Sequence, residues 1–295
     1  MRLKPLIDRA PAAWLLAMTV IWGYTFVVVQ VAVARFGVIE FLVLRFAIAT
    51  LALVPWSFRE VRIHEWRIGL ILGGTLSLGY LFQTWGLKHI TVTESGFLTG
   101  LFVVFAPLWA AVLYRVRLGR RNIVALALSL VGLEFLLGGW DFHLTAGSLL
   151  TIGGALCFGL QIALLSRQGP SCRTGALTFT QMAAMTFWLA LLLPAGAALQ
   201  NPFHGPLVLA LLLTGVLASA FAFYVQTRVQ QRLSAARTAV ILVTEPFFAA
   251  LFGHWLNHDP LTGSLAVGAG LLVLAMLVSE LGLGPFDRNR AIPGK

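Results

Sequence analysis

Charged side chains are scarce in this 295-residue chain: Asp, Glu, Lys and Arg together make up 11% of it. A soluble domain carries about 25%. With 59% hydrophobic residues, the chain has too little polar surface to face water, so a bilayer must be the solvent for most of it. Acid is scarcer than base, eleven Asp+Glu against twenty-one Lys+Arg, for a net charge of +10. The basic residues fall in short segments between apolar runs, a pattern set by membrane topology rather than by nucleic acid. Nucleic acid is therefore excluded as a partner. Only two cysteines occur, Cys157 inside an apolar run and Cys172 in a short basic stretch, which argues against a disulfide. There is no N-x-S/T acceptor, no His-Glu-x-x-His, no Gly-x-Ser-x-Gly, no P-loop and no CxxC pair. Those absences argue against an enzyme, a resident metal or cofactor, and a nucleotide-driven pump. Any transport would be secondary.

What is present is a series of long apolar runs. Spans of the ~20 residues that a membrane helix requires lie near 11–34, 38–57, 66–87, 93–114, 122–139, 147–166, 175–197, 206–226, 236–256 and 263–283. The first is too long for a signal-peptide core, and the chain stays hydrophobic after it, so it reads as the first membrane helix. Eighteen of the twenty-one basic residues fall before the first span, after each even-numbered span, or after the last. Arg35 and Lys88 are left for the opposite side, and Arg45 lies within the second span. This asymmetry predicts that both termini are cytoplasmic.

The chain also echoes itself. FLTGLFVVFAPLWAAVL at 97–113 has a counterpart in VILVTEPFFAAL at 240–251. Setting Pro107 on Pro246 brings Ala110 onto Ala249 and Ala111 onto Ala250. Trp22–Gly23 has a looser counterpart in Phe158–Gly159. Five spans per copy is an odd number, so the second copy must enter the membrane upside down. The expected fold is an all-α integral membrane protein of ten transmembrane helices in two inverted five-helix repeats, 1–141 and 142–295. They divide at the polar turn holding Asp141 and His143. Inverted repeats are a common plan of secondary transporters, with substrate near the midplane between them.

Glu245 is the most informative single residue. It lies beside Pro246, about ten residues from either end of the ninth span, and an acid at that depth costs roughly 2.5–3.5 kcal/mol on insertion scales. It is thus a candidate for a substrate amine or a coupled proton, or else a hydrogen-bonder for groups freed by the proline. Other candidates near the midplane are Trp22, Thr25, Ser77, Tyr80, Thr99 and Gln161, with Tyr224 deeper toward the cytoplasmic end and Phe158 adding to the aromatic wall. Apolar walls with a few converging polar groups suit a small organic solute. Packing, or a helix–helix hydrogen bond in the case of Gln161, competes with each assignment. Glu134 is a second possible proton carrier. Arg45, about seven residues inside its span, is expected to snorkel outward or pair with Glu40, and His254 and His258, flanking the outer end of the ninth span, are expected to be solvated or interfacial. Gly69–Gly73 and Gly96–Gly100 are small-xxx-small pairs for close helix packing. Pro107 and Pro246 are candidate hinges, since each removes one backbone hydrogen bond.

These segments resemble a known family. IWGYTFVVVQVAV (21–33), LRFAIATLALVPW (44–56), GLKHITVTESGFLTGLFVVFAPLWAAVL (86–113) and RLSAARTAVILVTEPFFAALFGHWL (232–256) are similar to the drug/metabolite transporter superfamily, specifically its EamA group of ten-helix exporters. The resemblance covers residues 11–283. It departs where many members carry Leu-Gly-Glu thirteen residues after each proline: the glutamate positions here hold Arg120 and Asp259. The family often has Glu-Pro where this chain has Glu245–Pro246. What the resemblance implies is export of amino acids or related metabolites across an inner membrane. Drug-like cations are an alternative in the same fold, and an intramembrane enzyme or a non-transporting membrane protein is an alternative outside it.

Overall fold

The computed structural model describes residues 3–115, 120–136, 145–193, 205–231, 241–242 and 244–281. The proposed division at Asp141 and His143, Arg117, the start of the ninth span with Arg232 and Arg237, and the basic C-terminal tail lie outside the described residues. Everything regular within them is helical. In chain order the helices are α1 Leu3–Arg9, α2 Pro11–Val33, α3 Val38–Ser57, α4 Ile63–Leu87, α5 Val92–Gly100, α6 Phe102–Tyr114 and α7 Arg120–Leu136. They continue with α8 Ala146–Gln168, α9 Thr174–Ala190, α10 Gly205–Leu212, a π-helical segment Leu213–Phe221, α11 Ala222–Gln230, α12 Glu245–Asn257 and α13 Gly263–Leu281. Among the described residues, five helical runs, beginning at Pro11, Val38, Val92, Ala146 and Gly205, are both long and apolar enough to cross a membrane. Each of the ten sequence-predicted spans overlaps one of these runs or another described helix, the third matching the 25-residue α4 and the ninth only over its described part. Helix α1 was not foreseen.

Sequence-local signals set several boundaries. Pro11 opens α2 at a position where its missing N–H costs nothing. Thr91 and Thr145 cap α5 and α8 by accepting from the backbone N–H of Glu94 (3.1 Å) and Ser148 (3.0 Å). The lipid-facing surface is apolar, with Leu51, Ile63, Val112, Leu209 and Trp255 all exposed, as expected where hydrocarbon rather than water is the solvent.

The main helix pairs follow a two-fold pattern. Helix α2 packs on α12 while α8 packs on α6, α7 pairs with α13, α3 with α9, and α5 with α12. The looser sequence pair sits at matching crossings. A Cβ on Gly23 would meet the backbone of Phe248 and Ala249 at 2.8 Å, and one on Gly159 would meet Phe105 and Ala106 at 2.8–3.0 Å. Gly69 and Gly73 let α4 close on Thr180 and Ala184 of α9, and Gly96 lets α5 close on Ala249. Small residues therefore do the packing that hydrophobicity cannot do inside lipid. The α7–α13 pair stands to one side, and none of its residues line the central cavity.

Two of the helical runs are interrupted, and not at the expected points. The fourth span breaks at Leu101, where Leu101 N–H turns back to Leu98 O and Val104 N–H to Leu101 O, six residues before Pro107. Pro107 lies inside α6. The ninth is interrupted at Thr244, so Pro246 falls in the first turn of α12 instead of kinking a continuous helix. Glu245 is consequently at a helix start rather than in mid-helix. A helix N-terminus favours an anion, one physical reason the chain tolerates a carboxylate at this depth.

Candidate functional site

Helices α2, α3, α4, α5, α6, α8, α11 and α12 surround a cavity of about 70 Å³, several times the roughly 10–15 Å³ that a single water requires. Six of the seven residues expected to form a cavity do line it: Trp22, Tyr80 and Phe158 as aromatic wall, and Thr99, Gln161 and Glu245 as polar groups. Thr25 joins them. Tyr224 does not line it. Its neighbour Phe223 does, because adjacent helical residues point about 100° apart; the Tyr224 ring instead approaches Gly175, and its hydroxyl is buried with no partner. Ser77 is buried against Gly73 O (2.8 Å), outside the lining. Glu134 is half-buried on α7, away from the cavity.

The aromatic residues form a connected wall. Trp22 lies 5.7 Å from Phe223, Phe223 lies 6.3 Å from Tyr80, and Tyr80 stands edge-on to both Phe46 and Phe158 at 5.1 Å. Trp22 is fixed by an Nε1–H bond to Ala218 O at 2.8 Å. Thr99 accepts from Gln83 Nε2 (3.0 Å), and Gln161 donates to Gln181 Oε1 (3.3 Å). Gln161 thus holds α8 to α9 as well as bordering the cavity.

The largest departure from sequence reasoning is Arg45. It neither snorkels nor pairs with Glu40. It is 2% exposed, lines the cavity, and donates from Nε to Ser219 Oγ at 2.9 Å. Its guanidinium carbon is 4.7 Å from the centroid of Tyr80 and 5.2 Å from that of Phe46, an arrangement that stabilises a desolvated cation. Glu40 folds back over Gly37 at the start of α3. Ser219 and Ala218 both belong to the π-helical segment, whose wider turn carries the partners of Arg45 and Trp22. No local signal in the sequence joins Arg45 to a serine 174 positions away.

Glu245 is 8% exposed. Among the described residues its carboxylate makes no hydrogen bond and no ion pair; the ion pair found there is Arg228 with Asp8, at the end of α11. It therefore does not serve backbone groups freed by Pro246. Cys157 and Cys172 are free thiols. Among the described residues no group of His, Cys, Asp and Glu has the geometry of a metal site.

A family model for the EamA-like transporter family matches this chain twice, over residues 10–138 and 145–280. A protein of Archaeoglobus fulgidus named an uncharacterized transporter is 32% identical over 268 residues, covering 90% of this chain and 83% of its own length. The uncharacterized transporter YoaV of Bacillus subtilis is 23% identical and covers 90% of this chain and 94% of its own. A solved crystal structure, 18% identical, superposes with a TM-score of 0.65 over 92% of this chain and 96% of that one, a likeness of fold alone. With the helical bundle and its two matched halves, these findings identify a multi-pass membrane transporter: the chain belongs to the EamA-like transporter family.

Proposed function

We propose that the protein is a secondary transporter that exports small metabolites, amino acids or related compounds, across an inner membrane by alternating access. The observation that carries this reading is the central cavity: helices from both matched halves meet around it, and it combines an aromatic wall with buried polar groups, the composition of a small-solute site. Its modest size favours a small metabolite over a bulky drug in this arrangement of the helices. Unequal distribution of basic residues supports cytoplasmic termini, and division into inverted halves 1–141 and 142–295 supplies the two bodies that would rock about the site. The discontinuities at Leu101 and Thr244 are better placed than Pro107 itself to act as soft points.

A second reading, export of drug-like cations, draws on the unaccompanied carboxylate of Glu245 beside aromatic rings. Arg45 in the same cavity weighs against it. Proton coupling through Glu245 is part of the proposal; Glu134, off the cavity, is the weaker candidate. The test is counterflow in proteoliposomes with a panel of labelled amino acids, a quaternary-ammonium drug and a nucleoside, for wild type and Glu245→Gln at two pH values. Saturable amino-acid exchange is the expected result. Exchange of the drug alone would move the protein to the cation reading. Unchanged rate and pH response in Glu245→Gln would remove Glu245 from the coupling.

A further inference from the structure

The cavity holds one buried basic and one buried acidic side chain, and the two form no ion pair. Arg45 and Glu245 both line it, at 2% and 8% exposure, yet no ion pair joins them and neither has another charged partner among the described residues. A buried charge left without a counter-charge is expensive. Buried groups without partners call for an explanation. Mutual pairing would be the simplest remedy, and in this arrangement it is not made. Arg45 is held on α3 by Ser219 of the π-helical segment and by the faces of Tyr80 and Phe46. Glu245 is held at the start of α12, on the same cavity.

Arg45 donates its Nε–H to Ser219, interacts with the Tyr80 side chain and has no carboxylate partner among the described residues, so its guanidinium at the cavity wall still lacks a counter-charge that a ligand could bring. The guanidinium fork matches a carboxylate. Glu245 can accept an ammonium. Resting on the small-metabolite reading above, we propose that Arg45 and Glu245 form a two-point clamp for a zwitterionic α-amino acid. The guanidinium holds the α-carboxylate, Glu245 holds the α-ammonium, and Tyr80 and Phe158 receive the side chain.

The clamp explains why both charges persist. A zwitterion brings each of them its counter-charge and adds no net charge to the site. It also excludes near relatives. An amine without the carboxylate would place its cation in a cavity with an unpaired Arg45, and an acid without the ammonium would leave Glu245 unpaired beside a second anion. Rejection by unpaired charge discriminates more strongly than lost contact area.

The experiment is competition against labelled phenylalanine counterflow by phenylalanine, phenethylamine and 3-phenylpropionate, which share one ring and differ only in charge. Wild type is expected to discriminate against both singly charged analogues by on the order of tenfold or more. Arg45→Gln should lose much of its discrimination against phenethylamine and Glu245→Gln much of that against 3-phenylpropionate, while Arg45→Lys, which keeps the charge and loses the fork, falls between. Thermal unfolding and gel filtration of each variant establish that it is folded. If Arg45→Gln or Glu245→Gln does not fold, the wild-type competition series decides alone. Phenylalanine exchange with all three compounds competing equally, or folded variants with unchanged selectivity, would overturn the clamp and leave the exporter reading standing. If phenylalanine is silent and another amino acid exchanges, the amine and acid derived from that amino acid are used with the same criteria. Exchange of no amino acid, with or without drug exchange, would overturn the amino-acid reading and the clamp together.

Discussion

The two ends of the helical bundle are closed in different ways. At the end where α2, α4 and α12 finish and α5 and α8 begin, polar groups are tied by directional bonds. Asp259, 3% exposed, accepts from Thr93 N–H at 2.7 Å and from Asn257 Nδ2 at 3.0 Å. Asn257 Nδ2 also donates to Gln30 Oε1 (2.9 Å), and Gln30 Nε2 donates to Leu87 O (2.9 Å) and Ile90 O (3.0 Å). Ser148 donates to Glu94 Oε1 at 2.8 Å, binding α8 to α5. At the opposite end, Gln231 joins Thr174, Gly169 and Cys172, and a partly exposed ion pair links Arg228 to Asp8. There, among the described residues, the Tyr224 hydroxyl, Gln226 Oε1, Thr227 Oγ1 and both polar atoms of Gln230 on α11 are buried with no partner, against Thr93 Oγ1 and Ser95 Oγ at the first end. Opening either end breaks bonds already made, but parting the second around α11 also lets more unsatisfied groups find water. The bundle in this arrangement is latched at the Asp259 end and primed at the α11 end.

That contrast gives predictions, the largest first. Asp259→Ala leaves the Thr93 N–H buried without an acceptor and should cost about 2–4 kcal/mol, read as a lower unfolding temperature in detergent. If its unfolding temperature is that of wild type, Asp259 is not a latch. Gly253→Ala drives a Cβ to within 2.6 Å of Asp259 Oδ2 and 2.8 Å of Thr93 Oγ1, and overpacking of this kind costs roughly 1–3 kcal/mol. The matching change at the other end, Gly175→Ala, meets the movable hydroxyl of Ser57 at 2.8 Å and otherwise ordinary contacts; it should be the milder of the two. Equal losses of unfolding temperature in the two variants would erase the asymmetry.

Gln230→Leu removes two buried atoms with no partners. It should stabilise the described arrangement by about 1–2 kcal/mol while slowing exchange, since the α11 end then gains less from opening. Faster exchange would contradict the account. The smallest effect belongs to Arg228→Ala. Its bond to Asp8 is bidentate at 2.9–3.0 Å but partly solvated, so about 0.5–1 kcal/mol is expected, and its loss should be measurable chiefly at low salt.

The spans were legible in the sequence because lipid imposes one demand, a long apolar run with its own backbone bonded internally. The cavity's composition was legible for a related reason. Polar and aromatic groups at midplane depth are costly unless they face protein or water, so Trp22, Tyr80, Thr99, Gln161 and Glu245 identified themselves. Which face each one presented was less clear. A helix among lipid and apolar neighbours shows little amphipathic contrast, and Phe223 could not be told from Tyr224 without its neighbours. Arg45 was misread because seven residues from a span's end suggests snorkelling, while its real partners, Ser219 and Tyr80, come from distant segments. The breaks at Leu101 and Thr244 were hidden for a different reason. Proline drew attention to Pro107 and Pro246, although a helix can tighten a turn earlier or begin at the proline itself.

The most direct test of the cavity as the solute compartment is labelling of Thr99→Cys with a membrane-impermeant thiol reagent, with Cys157 and Cys172 replaced, in vesicles of known sidedness. The account predicts labelling from one side at a time and protection by the solute that the protein exchanges. Labelling that the exchanged solute leaves untouched, or equal labelling from both sides at once, would contradict it.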